Sequence, residues 1–318
     1  MSPYRYASLL LLFVGCDPAV ARHHSTTRGS SSERAAPARS GDAAPSPAPS
    51  TPANPLTLEP YAWHADESIE ALEATDTLHQ RFAPPSVFRR ITVAPKTFGA
   101  WLRNIPLAAP GTPVRSYTGA LHLPADHPHI AAVTTLDIGK RDLQQCADAV
   151  MRLHAEWLWQ AGRASEASYP SGAGPIPYRR FLSGGYPAPS GRTFVWKSRG
   201  PRDKGHATYR KYLDAVFSWS NTVALEQKSK RVSRGELRAG DFFILAGNPG
   251  HSVLVLDVAE DARGRRVALL GQSFMPAQSF QILRPSREQV WFDLEDDDGV
   301  QTPFWSRFPW SSLRRLPE

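Results

Sequence analysis

Hydrophobic positions along this chain follow two periods, and the changes from one to the other predict a mixed α/β domain. Spacing near 3.6 residues predicts helices at Glu67 to Phe82, Thr97 to Asn104, Leu143 to Trp159 and His206 to Lys230. The last of these places Tyr209, Leu213, Val216, Ser220 and Val223 on one face. Alternation and β-branched runs predict strands at Val114 to Leu123, Ile130 to Ile138, Arg192 to Lys197, Gly240 to Leu245, His251 to Val258 and Arg266 to Gln272. The last two form a hairpin turning at Asp261 to Gly264, and a pairing centred between Asp261 and Ala262 would set Gln272 opposite His251.

The helix predicted from Leu143 holds the only cysteine of this folded part. Asp142 is the expected N-cap and Gln145 completes a capping-box spacing, which seats Cys146 in the first turns. Helix starts stabilise a thiolate. Cys146, Val150, Leu153 and Trp157 also form one apolar stripe, so the same residue is equally placed to be a small buried hydrophobe.

Composition changes the picture mainly at the N-terminus. Residues 1–15 carry one cation at Arg5 and a short apolar run before Gly15, the pattern of a signal peptide. Residues 16–56 are dominated by Ser, Thr, Ala, Pro and Gly and read as a disordered tether, and residues 57–318 read as a single globular domain. With only Cys16 and Cys146 present, in such different contexts, no intramolecular disulfide is expected. The chain of 318 residues has a net charge of +7, but the basic residues are scattered and no nucleic-acid motif accompanies them. Anionic polymers or lipid headgroups of an envelope suit that charge better.

His23-His24, and the set His122, His127 and His129, are the metal candidates; none has a completing acid or thiolate at a tight spacing, so no metal and no cofactor are expected. Asp296 to Asp298 reads as a solvated turn, and the tryptophans read mainly as core.

His251 begins a strand, with Gln272 expected beside it. A thiol nucleophile needs such an arrangement: one ring nitrogen takes the proton of Cys146 while Gln272 fixes the other. Gln145, or Gln144, together with the backbone N–H of Cys146, could donate to a developing oxyanion.

Phe13-Val14-Gly15-Cys16 resembles a bacterial lipobox, which implies a lipid on Cys16 and attachment to a membrane surface in the cell envelope, on the periplasmic side or at the outer membrane. Gly240-Asp241, a hydrophobic strand and Gly250-His251-Ser252-Val253-Leu254-Val255 resemble the NlpC-type peptidases, papain-like cysteine hydrolases of bacterial envelopes. More closely, the segments around Cys146, His251 and Gln272 and the terminal Thr302-Pro303-Phe304-Trp305 resemble a family of exported bacterial proteins of unknown function.

The resemblance implies an α/β (α+β) papain-like core, with the cysteine helix packed on an antiparallel sheet. Because 105 positions separate Cys146 from His251, residues 160–235 would be a large helical insertion. It further implies Cys146 as nucleophile, His251 as base and Gln272 as orienting residue, acting on amide bonds such as those of peptidoglycan stem peptides. The competing expectation is a lipoprotein that binds cell-wall or envelope polymer without chemistry.

Overall fold

The computed structural model describes residues 56–318, so the signal segment, Cys16, His23-His24 and all but the last residue of the tether lie outside the described residues. In chain order the elements that position the site are α1 (Leu78–Arg81), β1 (Phe88–Arg90), α2 (Phe98–Arg103), β2 (Ile130–Val133), α3 (Cys146–Gln160), α4 (Tyr178–Leu182), β3 (Gly185–Ser190), β4 (Thr193–Ser198), α5 (His206–Phe217) and α6 (Thr222–Lys228). They continue with β5 (Lys230–Arg231), β6 (Phe242–Leu245), β7 (His251–Asp261), β8 (Arg266–Gln272), β9 (Gln281–Leu283), β10 (Phe292–Asp293) and β11 (Leu313–Arg315).

A nine-stranded sheet runs β5-β11-β6-β7-β8-β9-β2, with β1 added to β7 and β10 to β8. Every pairing in it is antiparallel. Strand periodicity divides its side chains between two cores. Phe242, Ile244, Leu254, Leu256, Leu269 and Ile282 pack with α2 and α3, including Trp101, Val150, Leu153 and Trp157. Phe243, Val253, Val255, Leu270 and Leu283 pack on the other face with Val300, Phe308 and Leu313. The fold is thus a mixed α/β one built on a mainly antiparallel sheet.

Five sequence expectations are corrected. The helix expected over 67–82 is only α1, because Asp76 and Thr77 pair with Leu107 and Pro106 as a short strand, and Thr77 then caps the single turn in exchange with Gln80. The strand expected over 114–123 folds back on itself, pairing Val114 with Leu123.

The helix expected over 206–230 is two helices. Asn221 caps the second by accepting from Ala224 N–H at 2.9 Å, and Ser220 turns its hydroxyl to Pro170 O. The stretch between α3 and β6 is therefore not only helical; it also carries the β3–β4 hairpin, where Trp196 stands opposite Pro187 and Lys197 opposite Tyr186.

Helix α3 begins at Cys146, not Leu143, with Gln145 as N-cap. Asp142 is drawn elsewhere: its carboxylate accepts from Ala277 N–H at 2.7 Å and from Gln145 Nε2 at 2.9 Å. Capping falls to Asp148, whose carboxylate accepts from Gln145 N–H at 3.2 Å.

Candidate active site around Cys146 and His251

Two glycines let the chain approach closely here. Gly240 has φ +95°, a conformation that side chains rarely adopt, and a Cβ there would meet Phe98 at 2.9 Å. A Cβ on Gly250 would lie 2.3 Å from Thr222 Oγ1 of α6, so only glycine admits α6 beside the start of β7. Asp241, next to the first glycine, is buried and receives Arg315 Nη2 at 2.8 Å, which ties β6 to β11 and explains the Gly-Asp pair structurally.

The hairpin register differs from the expected one. Glu260 pairs with Arg266 and Asp257 with Leu269, whereas Leu254 pairs with Gly271, and a bulge separates the two runs between Val255 and Asp257. Carried on without the bulge, the outer register would place Gln272 opposite Leu254, on the helix-facing side. The extra residue returns Gln272 to the face shared by His251 and Val253. Gln272 then reaches His251 diagonally, and His251 Nε2 lies 2.8 Å from Gln272 Oε1. Beyond the bulge, Asp257 faces Arg90 and Arg103, both at 2.6 Å.

The sulfur of Cys146 reaches the backbone beside His251 from the helix-facing side. Val255 accepts from Gly240 N–H and donates to Asp241 O, just before β6, so the even-numbered groups of Gly250, Ser252 and Leu254 point toward β8. Strand β8 ends at Gln272, and Ser273 turns its hydroxyl to Gln144 O at 3.2 Å. Into this opening between β7 and β8 projects the first residue of α3. The Cys146 thiol donates to Gly250 O at 3.8 Å, and the nearby Ser252 N–H favours a thiolate there. The sulfur therefore lies against the backbone that flanks His251. No hydrogen bond joins sulfur to imidazole, and His251 Nδ1 has no partner.

Burial sets the protonation of both groups. It pushes the Cys146 thiol up to about 11, with the Asp148 carboxyl adding to the effect. It pushes His251 down to about 4, against the opposing hydrogen bond from Gln272. At neutral pH the site holds a neutral thiol and a neutral imidazole. With the Gln272 amide oxygen at Nε2, the proton of the ring is on Nε2 and the lone pair is on Nδ1.

Gln145 directs its amide to Asp142, and the buried Gln144 bridges Asp137 O and Arg152. Neither side-chain amide bonds the sulfur. His127 stacks on Phe304 and His129 Nδ1 faces Arg284 O at 3.3 Å. Sequence reasoning missed the aromatic cover over the imidazole: Phe274 and Trp305 lie 4.8 and 4.9 Å from the His251 ring, centroid to centroid. Their signal was present in the Gln272-Ser273-Phe274 and Thr302-Pro303-Phe304-Trp305 segments, but only the fold brings the two together. It also missed Gln281, which stands opposite Gln272 and, like Gln272, keeps one buried amide atom unpartnered.

No curated protein and no solved structure matches this chain. A protein-family model does match it over residues 78–315, the span that carries Cys146, His251 and Gln272. The chain belongs to the family described as domain of unknown function (4846).

Proposed function

We propose that this protein is a cell-envelope cysteine hydrolase or acyl-transferase with a papain-like arrangement, acting on amide bonds of the kind found in peptidoglycan stem peptides. The observation that carries this reading is the sulfur of Cys146 bonded to Gly250 O, the carbonyl just before His251, whose ring is held at Nε2 by Gln272 and left open at Nδ1. The imidazole is in the form a general base requires.

In the reaction, Cys146 turns from Gly250 O and gives its proton to His251 Nδ1 as the sulfur bonds to the substrate carbonyl carbon. The first-turn N–H groups of α3 face the developing oxyanion. The amine leaves with the proton from the imidazolium, and a thioester remains. Water or a second amine, deprotonated by His251, then releases a carboxylic acid or a new amide and restores the thiol. A lipid on Cys16 would hold the enzyme at a membrane facing the wall.

The test is mass spectrometry of peptidoglycan fragments incubated with wild type, Cys146→Ala and His251→Ala. Cleavage or transpeptidation by wild type alone is expected, with an acyl adduct on Cys146 when a slow thioester-forming substrate is supplied. Turnover that survives Cys146→Ala would sink the proposal. The thiol pushed up to about 11 in a closed site favours a second reading, a lipoprotein that binds wall polymer without chemistry. Wall binding by both variants, with no turnover by wild type, would establish it.

A further inference from the structure

The charge of the chain is less evenly spread than the whole sequence suggests. Between Ala167 and Arg202 there are five arginines, one lysine and no aspartate or glutamate, against an excess of +7 for the entire chain. These residues include α4 and the β3–β4 hairpin.

Elsewhere, arginines are commonly neutralised: Arg81, Arg90, Arg103, Arg152, Arg163 and Arg210 are among those with a carboxylate partner. Among the described residues, no cation from 167 to 202 has one. Arg180 instead lies over the Trp196 ring at 4.1 Å, Arg199 over Tyr186 at 4.7 Å and Arg202 over Phe181 at 4.0 Å. Stacking fixes a guanidinium while leaving its N–H edge free to donate.

The hairpin is also amphipathic. Phe194 is buried against Trp219, 5.2 Å between ring centroids, and anchors one face. The alternate positions Tyr186, Val195 and Lys197 share the other face. Val195 is 46% exposed, which is uncommon for a valine among unpaired cations. Apolar and aromatic groups interleaved with cations are the chemistry of a membrane interface, where the apolar groups enter the headgroup layer and the cations meet phosphate.

We infer that the β3–β4 hairpin, with Arg192, Lys197 and Arg199, is a docking surface for an anionic lipid bilayer. The inference is independent of any chemistry at Cys146 and of lipid on Cys16. A nucleic acid or a soluble acidic polymer would need the cations but not Val195 and the half-buried rings.

The test is flotation of the full chain carrying Cys16→Ser, so that no acyl chain contributes, with phosphatidylcholine vesicles with or without phosphatidylglycerol. Binding is expected only with phosphatidylglycerol and should weaken as salt rises. Each basic residue is worth roughly a fivefold effect at such a surface, so combining Arg192→Glu, Lys197→Glu and Arg199→Glu, which reverses each charge, should weaken binding by more than about a hundredfold. The charge-keeping Arg192→Lys with Arg199→Lys should bind nearly as wild type, as should the control Arg89→Glu with Arg231→Glu and Arg287→Glu, on other elements. Equal loss in that control overturns the inference. So does binding to heparin or single-stranded DNA in the absence of binding to either vesicle.

Discussion

Helix α3 supports two buried polar clusters, and they are satisfied in opposite ways. In its middle turns Arg152, fully buried, donates to Glu156 at 2.7 Å, to Gln144 at 2.8 Å and to Asp137. His206 bridges Glu156 at 2.9 Å and Asp66 at 2.7 Å. Burial opposes the charge on His206, but the two carboxylates outweigh it and hold its pKa above the usual value.

Among the described residues, none of these side chains leaves a buried polar atom unpartnered. At the first turn, by contrast, Asp148 Oδ1, His251 Nδ1, Ser252 Oγ and Gln272 Nε2 are all buried and unpartnered. A saturated, charged network acts as a clamp, whereas a neutral and under-satisfied one keeps bonding capacity for something that arrives.

The sharpest way to break this comparison is to remove Arg152. Arg152→Met leaves Asp137 and Glu156 buried with less compensation and should cost about 3–5 kcal/mol in urea unfolding. Cys146→Ala, at the unsaturated end, should cost only about 1 kcal/mol. Similar losses for the two variants would mean that the first-turn cluster is as structural as the other.

A second break uses pH. His251 is lowered from an ordinary value near 6.5 to about 4, so the folded state binds fewer protons than the unfolded state between those limits. Its contribution is complete above about pH 6.5 and is lost as pH falls toward 4, amounting to about 2 kcal/mol between pH 7 and 5. His154 is likewise lowered to about 4 by burial and loses stability over the same window, so wild type should show both contributions. His251→Gln should therefore lose about 2 kcal/mol less than wild type on acidification, as measured by urea midpoints at the two pH values. An unchanged difference between those midpoints would show that His251 is not held neutral by burial.

The two clusters were also unequally legible in the sequence. The β7–β8 hairpin was readable from alternation and a turn signal, and the His251–Gln272 contact followed from strand parity, although a bulge rather than direct opposition produces it. Cys146 was readable as a helix-start residue, but its place at the first position depended on Asp142 being taken up by Ala277, a contact across 135 residues. Of the Arg152 network only the Arg152–Glu156 pair, four residues apart on one helix, has a local signal. Its other members, Asp66, Asp137 and His206, come from elsewhere in the chain, and no local periodicity connects residues so far apart in sequence.

The aromatic cover gives a smaller effect, and a kinetic one. Trp305 lies 5.9 Å from the Phe274 ring as well as against His251, so Trp305→Ala removes two ring contacts over the site. Local opening should become easier, and alkylation of Cys146 by iodoacetamide at neutral pH should speed up about tenfold. An unaltered rate would mean that reagents reach the sulfur by a path that Trp305 does not close.

Asp148 sharpens the comparison by the least amount. Burial holds its carboxyl well above the usual range, and its like charge is a lesser cause, after burial, of the raised Cys146 thiol. Asp148→Asn keeps an acceptor for Gln145 N–H and removes only that lesser contribution. The alkylation inflection of Cys146, expected at about 11, should move down but remain above the free-thiol value of about 8.5. A fall all the way to the free-thiol value would mean that charge, not burial, governs the sulfur, and the first turn of α3 would then be an electrostatic site like the middle turns.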